Sequence, residues 1–170
     1  TPCRNNLRSI GWACYDYEAT RRTLPPSNSG EIPVCWRVSL LPYLGEQLPE
    51  VEYNRGLRWD LPPNLALAST RLFAYTCPAN KQPKDEFGRW FTAYSMPTGA
   101  NSVGANPNGT RLDEITDGLS STVLAVEACG SKIIWTEPRD VDIGIQPSGI
   151  NVKGNRSGHS AGWISSYHPR

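Results

Sequence analysis

The chain has 170 residues and a formal net charge of +1, with its Lys and Arg residues scattered along it. A chain of this length is the size of one ordinary domain, so we expect residues 1–170 to form a single domain. No basic run interleaved with aromatic residues is present, which argues against a nucleic-acid partner. No stretch reaches the roughly 20 apolar residues that a membrane-spanning helix needs.

The composition predicts a loop-rich protein with a small aromatic core. Gly and Pro contribute 15 residues each, and both residue types interrupt helices and strands. Six Trp and seven Tyr residues supply large apolar surfaces at few positions. We therefore expect a few aromatic side chains to fill the core and long connections to surround it.

An amphipathic helix is predicted over residues 3–17. Its apolar residues recur at steps of three and four, which places them on one face. They are Leu7, Ile10, Cys14 and Tyr17. The helix must end before Pro25 and Pro26, because proline forces the chain into extended or turn geometry. We take these four apolar residues as the candidate assembly face of the helix.

Two further helical stretches follow. Residues 35–48 have helical periodicity, with Trp36 and Leu40 on one side and Pro42 either kinking the helix or starting a second one. A short helical run ends at Ala68, and Asn64 is predicted to be its N-cap.

Short strands are predicted in the second half of the chain. They cover residues 70–77, 90–96 and 121–127, and 133–135 is expected to pair beside the last of these. A helix followed by short strands describes an α+β domain, in which the N-terminal helix packs on an antiparallel sheet with long loops.

The cysteine pattern favours disulfides over a metal site. The five cysteines are Cys3, Cys14, Cys35, Cys77 and Cys129, and they form no Cys-x-x-Cys pair. Cys3 and Cys77 are the preferred pair, because their bridge would tie the helix start to a distant loop. Cys35 and Cys129 are the other candidates, and Cys14 also suits a small core residue. Connectivity cannot be deduced from the sequence.

The sequence carries no pattern typical of an enzyme. The chain has two histidines, His159 and His168, one of which a hydrolase triad would need, and neither a Gly-x-Ser-x-Gly nor a His-Glu-x-x-His motif occurs. We therefore expect no catalytic activity and no cofactor. Calcium, which takes six to eight oxygen ligands, is conceivable at Asp113 and Asp117. A solvated turn at Asp117 and Gly118 is the favoured interpretation of those residues.

Two features point to glycans. Asn108 and Asn155 each begin an Asn-x-Ser/Thr acceptor pattern for N-linked glycans in predicted surface loops. The side chains of Trp90, Trp135 and Trp163 could stack on sugars, although core packing is the more ordinary role of Trp.

Several blocks, taken in order, resemble a known family. They are Cys-Arg-Asn-Asn-Leu-Arg-Ser-Ile-Gly at 3–11, Leu-Pro-Pro at 24–26, Trp-Arg-Val-Ser-Leu-Leu-Pro-Tyr-Leu at 36–44, Trp-Asp at 59–60, Cys-Pro at 77–78, Ile-Thr-Asp-Gly-Leu-Ser-Ser-Thr-Val-Leu-Ala-Val-Glu at 115–127 and Trp-Thr-Glu-Pro at 135–138. The chain is similar over nearly its whole length to the planctomycete family of pilin-like proteins.

The resemblance implies a prepilin leader and a hydrophobic N-terminal helix, of which residues 3–17 look like the distal half. The hydrophobic half is absent from this sequence, and membrane contact would come only through it. Type IV pilins and the pseudopilins of bacterial type II secretion share this plan, and no enzymatic activity is implied.

We expect a structural subunit of an extracellular pilus-like filament or secretion pseudopilus, located outside the cell or at its surface and associating with copies of itself. The alternative is a cell-surface carbohydrate-binding module, and a hydrolase that uses His159 or His168 is a weaker third.

Overall fold

The computed structural model describes residues 2–46 and 53–144. This part of the chain is a mixed α+β structure, which confirms the predicted fold class. Its helices are α1 (Pro2–Arg21), α2 (Trp36–Ser39) and α3 (Asn64–Leu67). Its strands are β1 (Asn28–Ser29), β2 (Val34–Cys35), β3 (Tyr94–Ser95), β4 (Pro97–Thr98), β5 (Val126–Glu127) and β6 (Val141–Asp142). Single 3-10 turns cover Leu41–Tyr43, Phe73–Tyr75, Val103–Ala105 and Leu112–Glu114.

Helix α1 is longer than predicted and ends before the two prolines, as predicted. Arg22 follows its last residue with a φ of 65°, a left-handed conformation that stops the helix. The buried residues Cys3, Ile10, Ala13 and Cys14 recur at helical spacing along one face. The sequence periodicity therefore identified the side of α1 that faces the core.

Helix α1 packs against two 3-10 turns. The amide nitrogen of Asn6 donates to the carbonyl oxygens of Phe73 and Thr76, both at 3.0 Å. Further along the helix, the ring of Tyr17 meets the ring of Tyr43 edge-on at 5.8 Å. These contacts hold the two turns, rather than a broad sheet, against the helix.

The strands form three separate pairs. β1 with β2 and β3 with β5 are antiparallel, whereas β4 and β6 are parallel. Residues 90–98, which include β3 and β4, form the central segment of the strand region. Their backbone groups also form hydrogen bonds with the loops on both sides of them. The backbone of Ala93 donates to Tyr75 and accepts from Ala128. Phe91 makes an antiparallel bridge with Ile134, so residues 133–135 pair with the central segment.

Two predicted strands are mostly replaced by other structure. In the stretch 70–77, Phe73–Tyr75 form a 3-10 turn, because the Glu46 carboxylate accepts the backbone N–H groups of Phe73 and Ala74. In the stretch 121–127, only Val126–Glu127 form a strand. The turn at Gly118, where φ is 85°, leads into the remaining residues of this stretch.

The N-cap prediction for Asn64 is wrong. Pro63 is the N-cap of α3, and Asn64 is its buried first residue. The Asn64 side chain accepts from the backbone N–H of Asn54 and donates to the carbonyl oxygens of Asn54, Leu57 and Arg58. This amide therefore holds the loop that precedes α3.

The core is small and aromatic, as the composition predicted. Trp36, Tyr75, Tyr94 and Trp135 are among its largest fully buried side chains. Trp36 and Tyr75 meet edge-on at 5.8 Å, a favourable arrangement for aromatic rings. In the described residues, no helix combines the length and apolar character needed to cross a membrane.

Candidate assembly and binding surfaces

The predicted assembly face of α1 is wrong. Ile10 and Cys14 are 0% and 1% exposed, and Leu7 and Tyr17 are partly buried against the same core. Periodicity shows which residues share a face, but it does not tell a face that packs inside the chain from one that meets a neighbour. These four side chains already pack within their own domain.

The opposite side of α1 carries two exposed aromatic residues. Trp12 is 67% exposed and Tyr15 is 50% exposed, and their ring centroids lie 6.3 Å apart. Next to Trp12, a side chain at Gly11 would meet no atom within 4 Å. Gly11 and residues 122–125 line a separate groove of about 260 Å³ that does not include Trp12 or Tyr15. This aromatic side of α1 is open to solvent.

The structure brings Cys3 and Cys77 together. Their sulfur atoms lie 2.7 Å apart, although 74 positions separate them in the sequence. Cys3 is in the first turn of α1, and Cys77 follows the 3-10 turn that packs on the helix. Burial and the Cys77 sulfur raise the pKa of Cys3 to about 12. The pairing itself stays a prediction.

The other cysteines lie in different surroundings. Cys14 is buried on α1, and burial raises the pKa of its thiol to about 12. The Cys35 sulfur lies 3.5 Å from the carbonyl oxygens of Trp135 and Thr136, to which its thiol can donate. Cys129 is half-buried. Cys35 therefore has a hydrogen-bonding role in the core, and a disulfide at Cys35 or Cys129 stays a prediction.

A buried ion pair joins α2 to a distant loop. The Arg37 guanidinium, which is 0% exposed, lies 2.8 Å from the Asp140 carboxylate. It also donates to the carbonyl oxygens of Trp135, Glu137 and Arg139. Burial alone would lower the pKa of Arg37, but the charge and hydrogen bond of Asp140 contribute to raising it. Arg37 therefore stays charged inside the core.

Asp140 is the acidic residue of this buried ion pair. One of its carboxylate oxygens also accepts from Trp36 Nε1, Ser95 Oγ and the backbone N–H of Met96. Sequence reasoning missed this role for both residues. The only sequence signal was the position of Arg37 inside an apolar helical stretch, where a charged residue needs a partner.

The acidic residues considered for calcium make other contacts. Asp113 is exposed and pairs with Arg111 at 2.7 Å, which holds the pKa of Asp113 below its usual value. Asp117 precedes the turn at Gly118, whose φ is 85°. No group of three or more His, Cys, Asp or Glu side chains within the described ranges could hold a metal ion.

The remaining candidate residues are the tryptophans proposed to stack on sugars, the two glycan acceptors and the two histidines. Trp135 is 1% exposed, so it packs in the core and cannot stack on a ligand. Trp90 is half-buried and is flanked by cations. Asn108 is exposed in a turn, where an attached glycan would have room. The other candidates lie outside the described residues, namely Asn155, His159, Trp163 and His168.

Helix α1, the short strand pairs and the aromatic core define a loop-rich α+β domain with one exposed aromatic helix side. The family model described as "Protein of unknown function (DUF1559)" matches residues 1–163, so the chain belongs to this family. It is the family of planctomycete-type pilin-like proteins that the sequence blocks resemble. No curated protein and no solved structure matches the chain.

Proposed function

We propose that this protein is a structural subunit of an extracellular pilus-like filament or secretion pseudopilus, without catalytic activity. Its family membership supports this proposal, together with an N-terminal helix of 20 residues. In this proposal the chain derives from a precursor with a prepilin leader and a hydrophobic segment before Thr1. Asn108 is the described candidate for glycosylation.

The exposed pair of Trp12 and Tyr15 is the observation that carries the proposal. Large aromatic side chains are enriched at the centres of protein interfaces, because each buries much area at little cost in side-chain entropy. The buried side of α1 is already occupied, so contact with a second copy uses the aromatic side. A head-to-tail contact through this surface builds a filament when its rotation does not close a ring.

The test is assembly as a function of protein concentration. Light scattering and negative-stain electron microscopy would follow the wild-type chain, a Trp12→Arg/Tyr15→Arg variant and a Phe87→Arg control. Phe87 is 71% exposed but lies in another loop, so its substitution tests the effect of placing an arginine at an exposed aromatic position away from α1. We expect fibres or elongated oligomers from wild type and control, and monomers from the double variant.

Two results would count against this proposal. A wild-type chain that remains monomeric at every concentration would show that this domain does not assemble by itself. Equal assembly of the double variant would show that the aromatic side of α1 is not the contact. Circular dichroism would confirm that both variants keep the helix content of wild type.

A further inference from the structure

Four side chains on the surface form a stack of alternating rings and cations, which we call the ring-cation stack. The Arg71 guanidinium lies 4.5 Å from the ring centroid of Phe73 and 5.0 Å from that of Trp90. The Lys84 ammonium lies 4.5 Å from the same Trp90 ring. The order is therefore Phe73, Arg71, Trp90 and Lys84.

The ring-cation stack is exposed to solvent, and hydrogen bonds hold the backbone of its two ring residues. Phe73 is 64% exposed, and Arg71 and Lys84 are also exposed. The backbone N–H of Trp90 donates to Ala68, and its carbonyl oxygen accepts from Trp135. The Glu46 carboxylate holds the backbone N–H of Phe73. Hydrogen bonds thus hold the backbone of both ring residues, while Arg71 and Lys84 are exposed to solvent.

The charges of the stack are not neutralised by ion pairs. Neither Arg71 nor Lys84 has a carboxylate within ion-pair distance in the described part of the chain, although five such pairs occur elsewhere. Glu46, which contacts the turn at Phe73, and Asp85, which follows Lys84 in the sequence, have other partners. Glu46 accepts the N–H groups of the 3-10 turn, and Asp85 pairs with Arg89. Two cations within about 10 Å of each other are therefore available to a ligand.

We propose that the ring-cation stack binds an acidic polysaccharide whose carboxylates pair with Arg71 and Lys84 while the apolar face of a sugar ring lies on Phe73. Guanidinium and ammonium groups bind carboxylates through charge-assisted hydrogen bonds, and these are stronger than bonds between neutral groups. A polymer that repeats its carboxylate with each sugar can reach both cations. A neutral glycan could use only the rings.

The observations favour a polysaccharide over nucleic acid. Nucleic-acid binding depends on many phosphate contacts, whereas the stack offers two unpaired cations on a chain of net charge +1. An acidic peptide would satisfy the cations but offers no regular apolar ring face for Phe73. This site is independent of the aromatic side of α1, so its test does not depend on filament assembly.

The experiment measures binding of the full chain by titration calorimetry and affinity electrophoresis. The probes are oligogalacturonate, neutral dextran, poly-glutamate and single-stranded oligothymidylate. We expect oligogalacturonate to bind best, and its affinity to fall as salt rises from about 0.1 M to about 1 M because screening shortens the range of the charges. The Arg71→Gln/Lys84→Gln variant should lose about tenfold or more in affinity. Phe73→Ala should weaken binding while keeping the salt dependence.

A matched control lies close to Lys84 in the sequence. Phe87 is 71% exposed and has the Arg89 guanidinium 4.8 Å from its ring, but that guanidinium is paired with Asp85. Phe87→Ala should leave the affinity for oligogalacturonate unchanged. The proposal is overturned if dextran, poly-glutamate or oligothymidylate binds better than oligogalacturonate. It is also overturned if no probe binds, or if the glutamine variant binds oligogalacturonate as wild type does. Thermal unfolding would verify that each variant is folded.

Discussion

The guanidinium of Arg37 and the carboxylate of Asp140 lie 2.8 Å apart in the core, although 103 positions separate them in the chain. Through this pair, helix α2 is joined to the loop that leads into β6. The Asp140 carboxylate also accepts from Ser95 and Met96, so the central segment is tied to the same point. One buried charge pair therefore joins α2, the central segment and the loop before β6.

The first prediction concerns this pair. Asp140→Asn should lower the free energy of unfolding by about 3–5 kcal/mol, because it leaves the Arg37 charge buried without compensation. Urea unfolding followed by tryptophan fluorescence measures the change. Asp60→Asn is the control, since Asp60 pairs with a largely exposed Arg58 and should contribute little. Equal stability of the Asp140 variant and wild type would mean that the pair does not support the core.

The second prediction concerns Asn64. Asn64→Ala should cost about 1–3 kcal/mol of unfolding free energy, because the backbone groups of residues 54–58 lose their partner. Limited proteolysis should then cut this loop faster. Asn80→Ala serves as the comparison, because the Asn80 side chain accepts one local backbone N–H in the described residues. Similar effects of the two substitutions would contradict the special role of Asn64.

The third prediction concerns Cys3 and Cys77. Under oxidising conditions we expect a disulfide between them, since their sulfurs already lie 2.7 Å apart. Peptide mapping by mass spectrometry without reduction should recover a linked peptide that contains both residues. Reduction should lower the free energy of unfolding by about 2–4 kcal/mol, because the bridge closes a long loop in the unfolded chain. A linked peptide that contains Cys129 in place of either residue would contradict this pairing.

The fourth prediction concerns pH. Burial raises the pKa of the Cys14 thiol to about 12 in the folded protein, whereas an exposed thiol titrates near 8.5. The folded state thus favours the neutral thiol, and this stabilisation is complete below about pH 8.5 and is lost as the pH rises toward 12.

Above pH 9, the unfolding free energy of the Cys14→Ala variant should therefore decrease less steeply with pH than that of wild type. The difference between the two slopes should reach up to about 1.4 kcal/mol per pH unit. Chemical denaturation at several pH values measures both slopes. Alkylation gives a second readout, because Cys14 should resist iodoacetamide in the folded protein and react after unfolding. Identical slopes for wild type and variant would contradict the prediction.

The sequence predicted the features that depend on local pattern. The spacing of Ile10 and Cys14 identified the buried side of α1, because residues three and four apart share a helix face. Pro25 and Pro26 limited the helix at its C-terminal end. Of the two alternatives at Pro42, a kink or a second helix, the structure shows a separate 3-10 turn, Leu41–Tyr43, after α2. The aromatic content predicted a small core, which Trp36 and Tyr75 occupy.

Only the tertiary structure decided which distant groups meet. Phe73 lies in a 3-10 turn because the carboxylate of Glu46, 27 positions earlier, accepts its N–H. Arg37 is buried because Asp140 compensates its charge from the far end of the described chain. Arg71 and Lys84 likewise meet only at the ring of Trp90. Periodicity and turn chemistry act over a few residues, whereas these contacts arise when the folded backbone brings remote segments together.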